Sequence, residues 1–450
     1  MQEGGLVTDR PEEGRPATVL EAKQAGEARA RWVWAEPCVW TERMLTALEQ
    51  GVKGDKWFSL IDKVGSRRML LRAFEQVKVN DGAAGVDHQT IEMYEQRIEE
   101  HTAYLQEALK AGSYQPAAIR REWIPKPGSR EKRPLGIPTV RDRVVQKSLL
   151  GTIEPIFERD FAEHSYGFRP GRGCKDALRR VDHLLKEGYS WVVDADLKSY
   201  FDTIRHEQLM KRVAEKVADG RVLELIRKYL GQRVLEDMRQ WQPEAGTPQG
   251  AVISPLLSNI YLDPLDKLIA SSGIEMVRYA DDFVLLCKSE REARTALLLV
   301  QEWTATAELT LHPEKTRIVD ATQPGGFEFL GYRFELGQRW PRQKSLKKFK
   351  ATVRSKTQRN NGQSLQAIIS NVNRTTRGWF EYFKHSHRYT FEPLDCLIRV
   401  RLRSILRRRH GGKGRGRGHD HNRWTNDFFA KQGFYSLVTA HALARQSQTE

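Results

Sequence analysis

The sequence has few cysteines and no long apolar stretch, and each absence excludes a class of protein. Its 450 residues include four cysteines, which stand far apart in the chain: Cys38, Cys174, Cys287 and Cys396. Isolated cysteines favour reduced thiols over a disulfide framework or a paired zinc-binding knuckle, so we expect no structural zinc. No run approaches the ~20 apolar residues that span a bilayer, so we expect a cytoplasmic protein with no membrane partner.

The first 30 residues lack the features of a targeting segment. They are polar and acidic and contain proline, without the charged head and apolar stretch of a secretory signal. They also lack the acid-poor composition of a transit peptide. We therefore predict a disordered lead-in over residues 1–30.

Positive charge is concentrated near the C-terminus. The chain has a formal net charge of +16, but residues 339–423 alone contain 23 Lys and Arg against four Asp and Glu, so the rest is slightly acidic. Clustered cations bind polyanions because they release condensed counterions when they neutralise phosphates. A merely solvated surface would interleave the two signs. The asymmetry predicts that the C-terminal part binds nucleic acid.

The patterns of apolar residues divide the chain into regions. Residues 31–115 alternate helical spacing with turn signals and predict a helical N-terminal extension. Residues 116–335 mix short β-type runs with helices, which predicts an α+β fold with an antiparallel sheet. Residues 336–450 contain long basic helices, a glycine- and arginine-rich segment at 411–423 that we expect to be a mobile loop, and an aromatic segment that should dock back onto the helices.

Two adjacent carboxylates, Asp281 and Asp282, stand between apolar strand-like runs in RYADDFVLL. Asp is common in hairpin turns because its side chain bonds local backbone, so this segment alone leaves a simple turn open. A second acidic pair stands in the β-type run WVVDADL, where alternation puts Asp194 and Asp196 on one strand face. Two distant acidic sites on strands change the interpretation, because together they supply oxygen ligands for hard cations.

Nucleotidyl transfer needs two hard cations about 3.5 to 4 Å apart, and Mg²⁺ prefers oxygen ligands. We predict Asp196 and Asp281 as bridging metal ligands of two Mg²⁺ ions, with the Leu197 carbonyl and Asp282 completing the site. Asp196, Asp281 and Asp282 are thus the predicted catalytic residues. We leave Asp194 and Asp202 outside the metal shell, and expect Asp202 to orient or cap the following helix.

The motifs occur in an order that resembles the successive sequence blocks of group II intron reverse transcriptases. These blocks are WIPKPGSREKRPLGIPTVRDRVVQ, FAEHSYGFRPGRGCKDAL, WVVDADLKSYFDTI, GTPQGAVISPLLSNIYLD, VRYADDFVLLC, LHPEKTRIV and GFEFLGYRF. The resemblance spans about residues 123–334, and NDGAAGVD, RGWFEYF and RLRSILRRRHGG extend it to the N-terminal extension and the maturase or thumb domain. It implies a right-hand polymerase, with fingers and a palm sheet, followed by an α-helical basic thumb.

The same resemblance implies nucleotide-binding roles for several residues. Lys126 and Arg133 match fingers positions that clamp the incoming triphosphate. Phe201 matches an aromatic gate against the ribose 2′-hydroxyl. Gln249 matches a residue along the nucleotide, and Lys315 matches a palm lysine near the triphosphate. The alternatives are a solvated charge for each cation and a core side chain for Phe201. Arg169 and Arg172 are placed for template or nucleotide phosphates, with a purely structural start of the next helix as the alternative. Aromatic residues of the thumb, among them Trp379, Tyr382 and Phe383, either stack unpaired bases or form the helical core.

The implied function is an RNA-directed DNA polymerase that copies intron RNA into cDNA and acts as a maturase in splicing. Its implied partners are the intron RNA, an RNA template with a DNA primer, target DNA and dNTPs, with a monomer and a homodimer both open. The absence of paired Cys and His ligands leads us to expect no target-nicking endonuclease and insertion at existing primers. The first alternative is a related reverse transcriptase from a retron, a diversity-generating element or a CRISPR-associated system. The others are a splicing factor without catalysis and an RNA-dependent RNA polymerase. The basic C-terminal extension argues against the related reverse transcriptases. The acidic metal ligands argue against a splicing factor without catalysis, and Phe201 argues against an RNA polymerase.

Overall fold

A computed structural model describes residues 29–125, 132–360 and 362–446 of the chain. The predicted lead-in therefore lies almost wholly outside the described residues, and so do Lys126 and the turn that follows it. The described residues form two compact units. The first contains residues 29–122, 134–161 and 201–263, and the second contains the remainder. Both units are thus discontinuous in sequence, whereas the predicted regions are contiguous.

From Glu42 onward the helices are, in chain order, α1 (Glu42–Gln50), α2 (Ile61–Val64), α3 (Arg67–Asn80), α4 (Ile91–Glu95), α5 (Ile98–Ala111), α6 (Val140–Glu158), α7 (Cys174–Lys186), α8 (Tyr200–Thr203), α9 (His206–Lys216), α10 (Gly220–Leu230), α11 (Ser254–Ser271), α12 (Glu290–Thr306), α13 (Gln343–Lys356), α14 (Leu365–Phe383), α15 (Phe391–Arg409), α16 (His419–Arg423), α17 (Asn426–Lys431) and α18 (Leu437–Gln446). The strands are β1 (Ile119–Pro125), β2 (Lys132–Ile137), β3 (Trp191–Asp196), β4 (Val234–Glu236), β5 (Arg239–Trp241), β6 (Glu275–Tyr279), β7 (Asp282–Cys287), β8 (Arg317–Asp320), β9 (Phe327–Phe329), β10 (Tyr332–Glu335) and β11 (Gln338–Pro341).

The first unit surrounds helix α6, which is buried over most of its length. Thr139 caps the start of this helix, and its hydroxyl accepts a hydrogen bond from the Asp142 backbone N–H. The Asp142 carboxylate is buried and in turn accepts hydrogen bonds from the hydroxyls of Thr139 and Tyr114. Burial nevertheless raises the pKa of Asp142. A four-stranded sheet in the order β2-β1-β4-β5 completes the fold, with β1 parallel to β4.

The second unit is built on an antiparallel sheet in the order β6-β7-β3-β8. Strands β6 and β7 form a hairpin, and β3 lies between β7 and β8. Val192, Val284 and Leu286 share one face of the sheet and pack against the buried apolar stripe of α7. Helix α12 packs against β3, β7 and β8 through Ala293, Ala296 and Val300, which are fully buried. Both apolar surfaces hold the central strands in place, so the ends of β3 and β7 are well fixed.

A second, smaller sheet and the C-terminal helices complete this unit. Strands β9, β10 and β11 form an antiparallel meander whose first turn has Leu330 and Gly331 in left-handed conformations. Helices α13, α14, α15, α17 and α18 share one apolar core, to which the aromatic segment contributes Trp424, Phe429 and Phe434. The predicted docking of this segment onto the basic helices is therefore confirmed.

The glycine- and arginine-rich segment differs from the prediction of a mobile loop. Residues 419–423 form helix α16, and the Asp420 carboxylate accepts a hydrogen bond from Arg407 at 2.7 Å. The Gly416 N–H donates to the Ser404 hydroxyl at 3.1 Å, and a side chain at Gly416 would collide with Arg403. The glycines allow the backbone to lie against α15, so the segment packs without apolar side chains of its own.

The predicted fold class is confirmed: the chain is α+β, with antiparallel sheets followed by a helical, basic C-terminal region. In the described part of the chain, no helix is both long enough and apolar enough to cross a bilayer.

Candidate active site

The register of the central sheet brings two predicted metal ligands side by side. Asp196 at the end of β3 is the direct cross-strand partner of Asp282 at the start of β7. Both belong to the face whose earlier positions, Val192 and Leu286, are buried against α7. Opposite residues of an antiparallel pair lie within about 5.5 Å of each other at Cβ. The sheet therefore places two half-buried carboxylates together at one end of a buried apolar face.

Asp281 lies in the turn that joins β6 to β7. The residue before it, Ala280, has φ +59°, a left-handed conformation that costs free energy in any residue with a Cβ. Asp281 and Asp282 thus belong to a hairpin turn, as the simple alternative proposed, and the same turn carries them to the end of β3. The two interpretations of the YADD segment are compatible.

The carboxylates are close enough to affect one another's ionisation. Burial raises the pKa of Asp282 to about 7, and the negative charges of Asp194, Asp281 and Asp196 add to the effect while Arg342 opposes it. Burial also raises the pKa of Asp281, with a contribution from Asp196 against Arg133 and Arg278. Crowded carboxylates of this kind are stabilised by a neighbouring cation.

Lys315 is brought to this cluster by the loop before β8. The Lys198 N–H donates to the Thr310 carbonyl at 2.8 Å, and the His312 N–H donates to the Asp196 carbonyl at 2.7 Å. These bonds fasten the loop to the end of β3. The Lys315 Nζ then lies 2.5 Å from Asp196 Oδ2. The predicted triphosphate lysine therefore contacts a predicted metal ligand directly.

Asp194, which the sequence left outside the metal shell, has a cation of its own. Arg317 on β8 donates to Asp194 Oδ2 at 3.4 Å. Burial raises the pKa of Asp194 to about 6, although Arg317 opposes the rise. Arg317 was not among the predicted residues, and only its position two residues after Lys315 could have indicated it.

Arg133 and the two arginines of the FRPGRG block differ in exposure. Arg133 is exposed, and its charge lowers the pKa of Asp281. Arg169 is 6% exposed, and its Nη1 donates to the carbonyls of Ala162 and Ser165 at 2.5 and 2.7 Å. The Arg169 guanidinium thus stabilises its own loop, which is the structural alternative left open above.

Arg172 also contacts its own loop. Its guanidinium donates to the Glu163 carbonyl and lies 5.9 Å from the ring centre of Tyr166. These contacts do not include Asp281 or Asp282. The role of Arg172 in binding template phosphates stays a prediction.

Phe201 and Gln249 lie in the first unit. The Phe201 carbonyl accepts a hydrogen bond from the Thr247 N–H at 2.7 Å, and the Gln249 carbonyl accepts one from the Gly136 N–H at 2.7 Å. Gly250 has φ +107°, and a Cβ there would lie 2.5 Å from the Gly136 carbonyl oxygen. Backbone approach at Gly250 is therefore already required by β2. The roles of the Phe201 and Gln249 side chains stay predictions.

The expected capping role of Asp202 is wrong. Asp202 lies inside the short helix α8, and the residue that precedes α9 is Arg205, which makes no side-chain capping bond. Burial raises the pKa of Asp202, and the charge of Arg121 opposes the rise. Asp202 therefore lies exposed within α8, near enough to Arg121 for that charge to affect it.

The aromatic residues of α14 pack against the small sheet, with Phe383 buried and with Trp379 and Tyr382 half-buried. Phe383 is 7% exposed, and its ring lies 4.7 Å from that of Trp379. The Tyr382 hydroxyl donates to the Leu330 carbonyl at 2.7 Å. Their side chains join the helices to the small sheet, which is the second of the two alternatives stated above.

The comparisons with known proteins agree with this arrangement. The family model described as reverse transcriptase (RNA-dependent DNA polymerase) matches residues 124–334, and the one described as group II intron, maturase-specific domain matches residues 346–424. Protein YkfC of Escherichia coli strain K12 is 36% identical over 290 residues, which cover 55% of this chain and 75% of the relative. The chain belongs to the group II intron reverse transcriptase and maturase family.

A further relative matches a little under half of this chain. Group II intron-encoded protein LtrA of Lactococcus lactis subsp. cremoris is 37% identical over 219 residues, which cover 46% of this chain and 36% of LtrA. Among solved structures, a partial Cas6-RT-Cas1–Cas2 complex matches 55% of this chain and 42% of its own, with 25% identity and a TM-score of 0.36. The predicted family and its enzyme class, an RNA-directed DNA polymerase with a maturase domain, are confirmed.

Proposed function

We propose that this chain extends a DNA primer along an RNA template by two-metal nucleotidyl transfer, and that it binds the intron RNA that it copies. The observation that carries the proposal is the register of β3 against β7, which pairs Asp196 with Asp282 next to Asp281. Three carboxylates from two distant sequence blocks gather at one end of the sheet. The reverse transcriptase match to residues 124–334 covers all three.

The donor set suits Mg²⁺, which is a hard cation and takes carboxylate and carbonyl oxygens. The raised pKa of Asp282, which has like charges among its causes, fits a site completed by cations. Within the described residues, no three acidic, His or Cys side chains converge closely enough to hold one ion. The Lys315 ammonium contacts the Asp196 carboxylate in this structure. Asp196 would therefore have to separate from Lys315 before it could bind an ion. Asp196, Asp281, Asp282 and the Leu197 carbonyl would hold two ions, which would activate the primer 3′-hydroxyl and neutralise charge on the transferred phosphorus.

The chain's own side chains supply the remaining work. Arg133 is exposed and lies close enough to affect Asp281, and Lys315 lies beside Asp196, so both cations suit the phosphates of an incoming dNTP. Lys126 would join them. Phe201 would exclude a ribose 2′-hydroxyl, and Gln249 would lie along the nucleotide. These last three roles rest on the sequence blocks.

The basic C-terminal region supports the RNA-binding part of the proposal. The maturase-specific match, residues 346–424, coincides with most of the strongly basic stretch at residues 339–423. Helices α13 to α15 keep their apolar residues in one core and leave Lys347, Lys348 and Arg408 exposed. Exposed cations on a rigid frame track a phosphate backbone. We propose intron RNA as the ligand, with splicing and retrohoming into target DNA as the processes served.

The proposed domain organisation follows the sequence regions. Residues 31–115 would be the N-terminal extension, residues 116–335 the fingers and palm, and residues 336–450 the thumb and maturase domain. A monomer and a homodimer would both be compatible with these functions.

Primer extension tests the catalytic part. The intact protein should extend a DNA primer on an RNA template with dNTPs and Mg²⁺, and the Asp281→Asn, Asp282→Asn variant should not. Glu302→Gln, an exposed change on α12, is the matched control and should retain full extension. If the intact protein binds structured RNA but never extends a primer, the polymerase proposal fails and the splicing-factor alternative replaces it.

Salt-dependent RNA binding tests the other part. Replacement of Lys344, Lys347 and Lys348 by Gln should weaken binding of structured RNA and reduce the slope of log K against log salt by roughly 2, since each phosphate contact contributes about 0.7 to 0.9. Replacement of three exposed cations of the first unit, Arg43, Arg68 and Lys110, is the matched control. Equal losses in both variants would contradict a specific role for the C-terminal helices.

A further inference from the structure

A fully buried ion pair lies directly behind the catalytic turn. Arg278 on β6 is 1% exposed and Asp266 on α11 is 5% exposed. The Arg278 Nε lies 2.7 Å from Asp266 Oδ1 and its Nη2 lies 2.5 Å from Asp266 Oδ2, so the pair is bidentate. A bidentate pair fixes the guanidinium plane as well as its position. Removal of two charges from water is costly, so a pair at this depth calls for a reason.

The remaining arm of the guanidinium reaches the turn itself. Arg278 Nη1 donates to the Ala280 carbonyl at 2.9 Å. Ala280 is the left-handed residue of the turn, and the next peptide unit leads to Asp281. A left-handed alanine persists only where its surroundings hold it. The hydrogen bond from Arg278 fixes the peptide plane that orients Asp281.

A third contact holds the same turn from the side of the FRPGRG block. The Arg278 N–H donates to the His164 carbonyl at 3.0 Å, and the Tyr166 N–H donates to the Arg278 carbonyl at 2.8 Å. Gly167 follows at once, and a Cβ built on it would lie 2.2 Å from the Ala280 nitrogen. Only glycine permits this approach of two backbones.

We infer that Arg278 and Asp266 are positioning residues of the polymerase centre: they hold Ala280 in its left-handed conformation and thereby place Asp281 and Asp282 beside Asp196. Asp266 orients the guanidinium, Arg278 holds the Ala280 carbonyl, and Gly167 supports the turn from the other side. The inference rests on the proposed polymerase function. It adds two residues that act through the backbone of Ala280.

A purely structural ion pair would behave differently. Its loss would lower stability and activity together, in proportion to the folded fraction. A positioning pair acts through the geometry of metal ligands, and loss of such outer partners typically lowers metal affinity or activity 10- to 100-fold. The dissociation constant for the metal and kcat should therefore change while the KM for dNTP stays near its original value.

The primary variant is Arg278→Lys, which retains the positive charge but cannot bind both Asp266 oxygens and the Ala280 carbonyl. We expect a fall in kcat of about 10- to 100-fold, a KM for dNTP within about 2-fold, and Mn²⁺ binding, measured by EPR, weakened about 10-fold. Asp266→Asn should give the same pattern. Arg180→Lys is the matched control. Arg180 on α7 pairs at 2.7 Å with Glu275, which lies on the same strand as Arg278 but at the end away from the turn.

A rescue experiment separates positioning from stability. Glycine adopts left-handed backbone without strain, so Ala280→Gly added to Arg278→Lys should restore at least a few-fold of the lost kcat and Mn²⁺ affinity. Gly167→Ala leaves the ion pair intact and should displace the turn from the opposite side, with the same pattern as Arg278→Lys. If Arg278→Lys does not fold, judged by thermal unfolding, Gly167→Ala is judged by the same criteria.

The outcomes are separable from those of the proposed function. Extension by the intact protein establishes that function independently of every variant. Unchanged Mn²⁺ affinity in a folded Arg278→Lys or Gly167→Ala protein, or a loss equal to that of Arg180→Lys, would overturn the positioning role. An intact protein that never extends a primer would overturn the proposed function instead, and the Mn²⁺ measurements would still decide whether Arg278 positions the carboxylates.

Discussion

Lys315 and Asp196 form an ion pair at the centre of the candidate site, with 2.5 Å between Nζ and Oδ2. The ammonium lies against a carboxylate that the proposed mechanism needs as a metal ligand. A cation at this position competes with Mg²⁺ for Asp196 and is also placed to bind the phosphates of a nucleotide. The first effect weakens binding of the metal and the second strengthens binding of the nucleotide. The two effects can therefore be measured separately.

Lys315→Ala should lower the Mg²⁺ concentration for half-maximal extension and raise the KM for dNTP. Both changes should be several-fold, because the pair is largely exposed and exposed ion pairs are worth at most about 1 kcal/mol. Steady-state extension at varied Mg²⁺ and varied dNTP measures both. Lys288→Ala, at the other end of the hairpin strand, is the control. If both constants were unchanged in the variant, Lys315 would have no role in binding the metal or the nucleotide.

Phe201→Ala tests the predicted selection of deoxynucleotides. If the ring crowds the ribose 2′-hydroxyl, its removal should raise the kcat/KM for ribonucleotides about 10-fold or more while that for deoxynucleotides changes little. Single-nucleotide incorporation with matched dNTP and NTP gives the ratio, and the intact protein is the reference. A ratio unaffected by the substitution would assign Phe201 to the core instead.

The sequence predicted the elements that carry the carboxylates and the order in which they occur. Alternation in WVVDADL placed Asp194 and Asp196 on one face, and the hairpin pattern around YADD placed Asp281 and Asp282 at a strand end. The cross-strand pair Asp196 and Asp282 could not be predicted, because the register between β3 and β7 depends on tertiary packing.

The supporting charges escaped prediction for a related reason. Arg278 and Asp266 stand 12 residues apart on a strand and a helix, and neither sequence position shows that the other faces it. Trp379, Tyr382 and Phe383 show the opposite difficulty, since an aromatic pattern cannot distinguish core rings from rings that stack bases. The packing of α14 against the small sheet places Phe383 in the core and leaves Trp379 and Tyr382 half-buried beside it.

Glu154 makes stability depend on pH. Burial raises its pKa to about 7, with Glu158 adding to the rise and Lys147 opposing it. The folded state therefore binds more protons than the unfolded state between about pH 4.5 and 7, so this contribution to stability is present at low pH and is lost as pH rises through 7. Glu154→Gln should stabilise the protein at pH 8 by roughly 1–3 kcal/mol and have little effect below pH 4.5.

Chemical denaturation of the intact protein and the Gln variant at several pH values measures this difference. Glu107→Gln, an exposed change on α5, is the control and should leave the pH dependence as it is. A stability difference for Glu154→Gln that does not vary between pH 5 and 8 would show that the Glu154 carboxylate is not held in a raised-pKa state.

Asp395 connects helix α15 to the start of helix α18. It is fully buried on α15 and accepts hydrogen bonds from the Ser436 hydroxyl at 2.7 Å and from the Leu437 N–H at 2.9 Å, at the start of α18. Asp395→Ala should lower the free energy of unfolding by about 1–3 kcal/mol, because the substitution leaves those donors unpaired. Denaturation monitored by tryptophan fluorescence measures the loss, with the exposed Asp427→Ala as control. Equal stability of the two variants would contradict this role for Asp395.

The central claim is that Asp196 and Asp282, paired across β3 and β7, act as one catalytic unit, and the rate of single-nucleotide addition tests it most directly. Asp196→Asn, Asp282→Asn and the double variant should each lose at least about 10³-fold, and the double loss should be little larger than either single loss, because residues that act as a unit are non-additive. Retained activity in either single variant, or a double loss equal to the product of the two single losses, would contradict the claim.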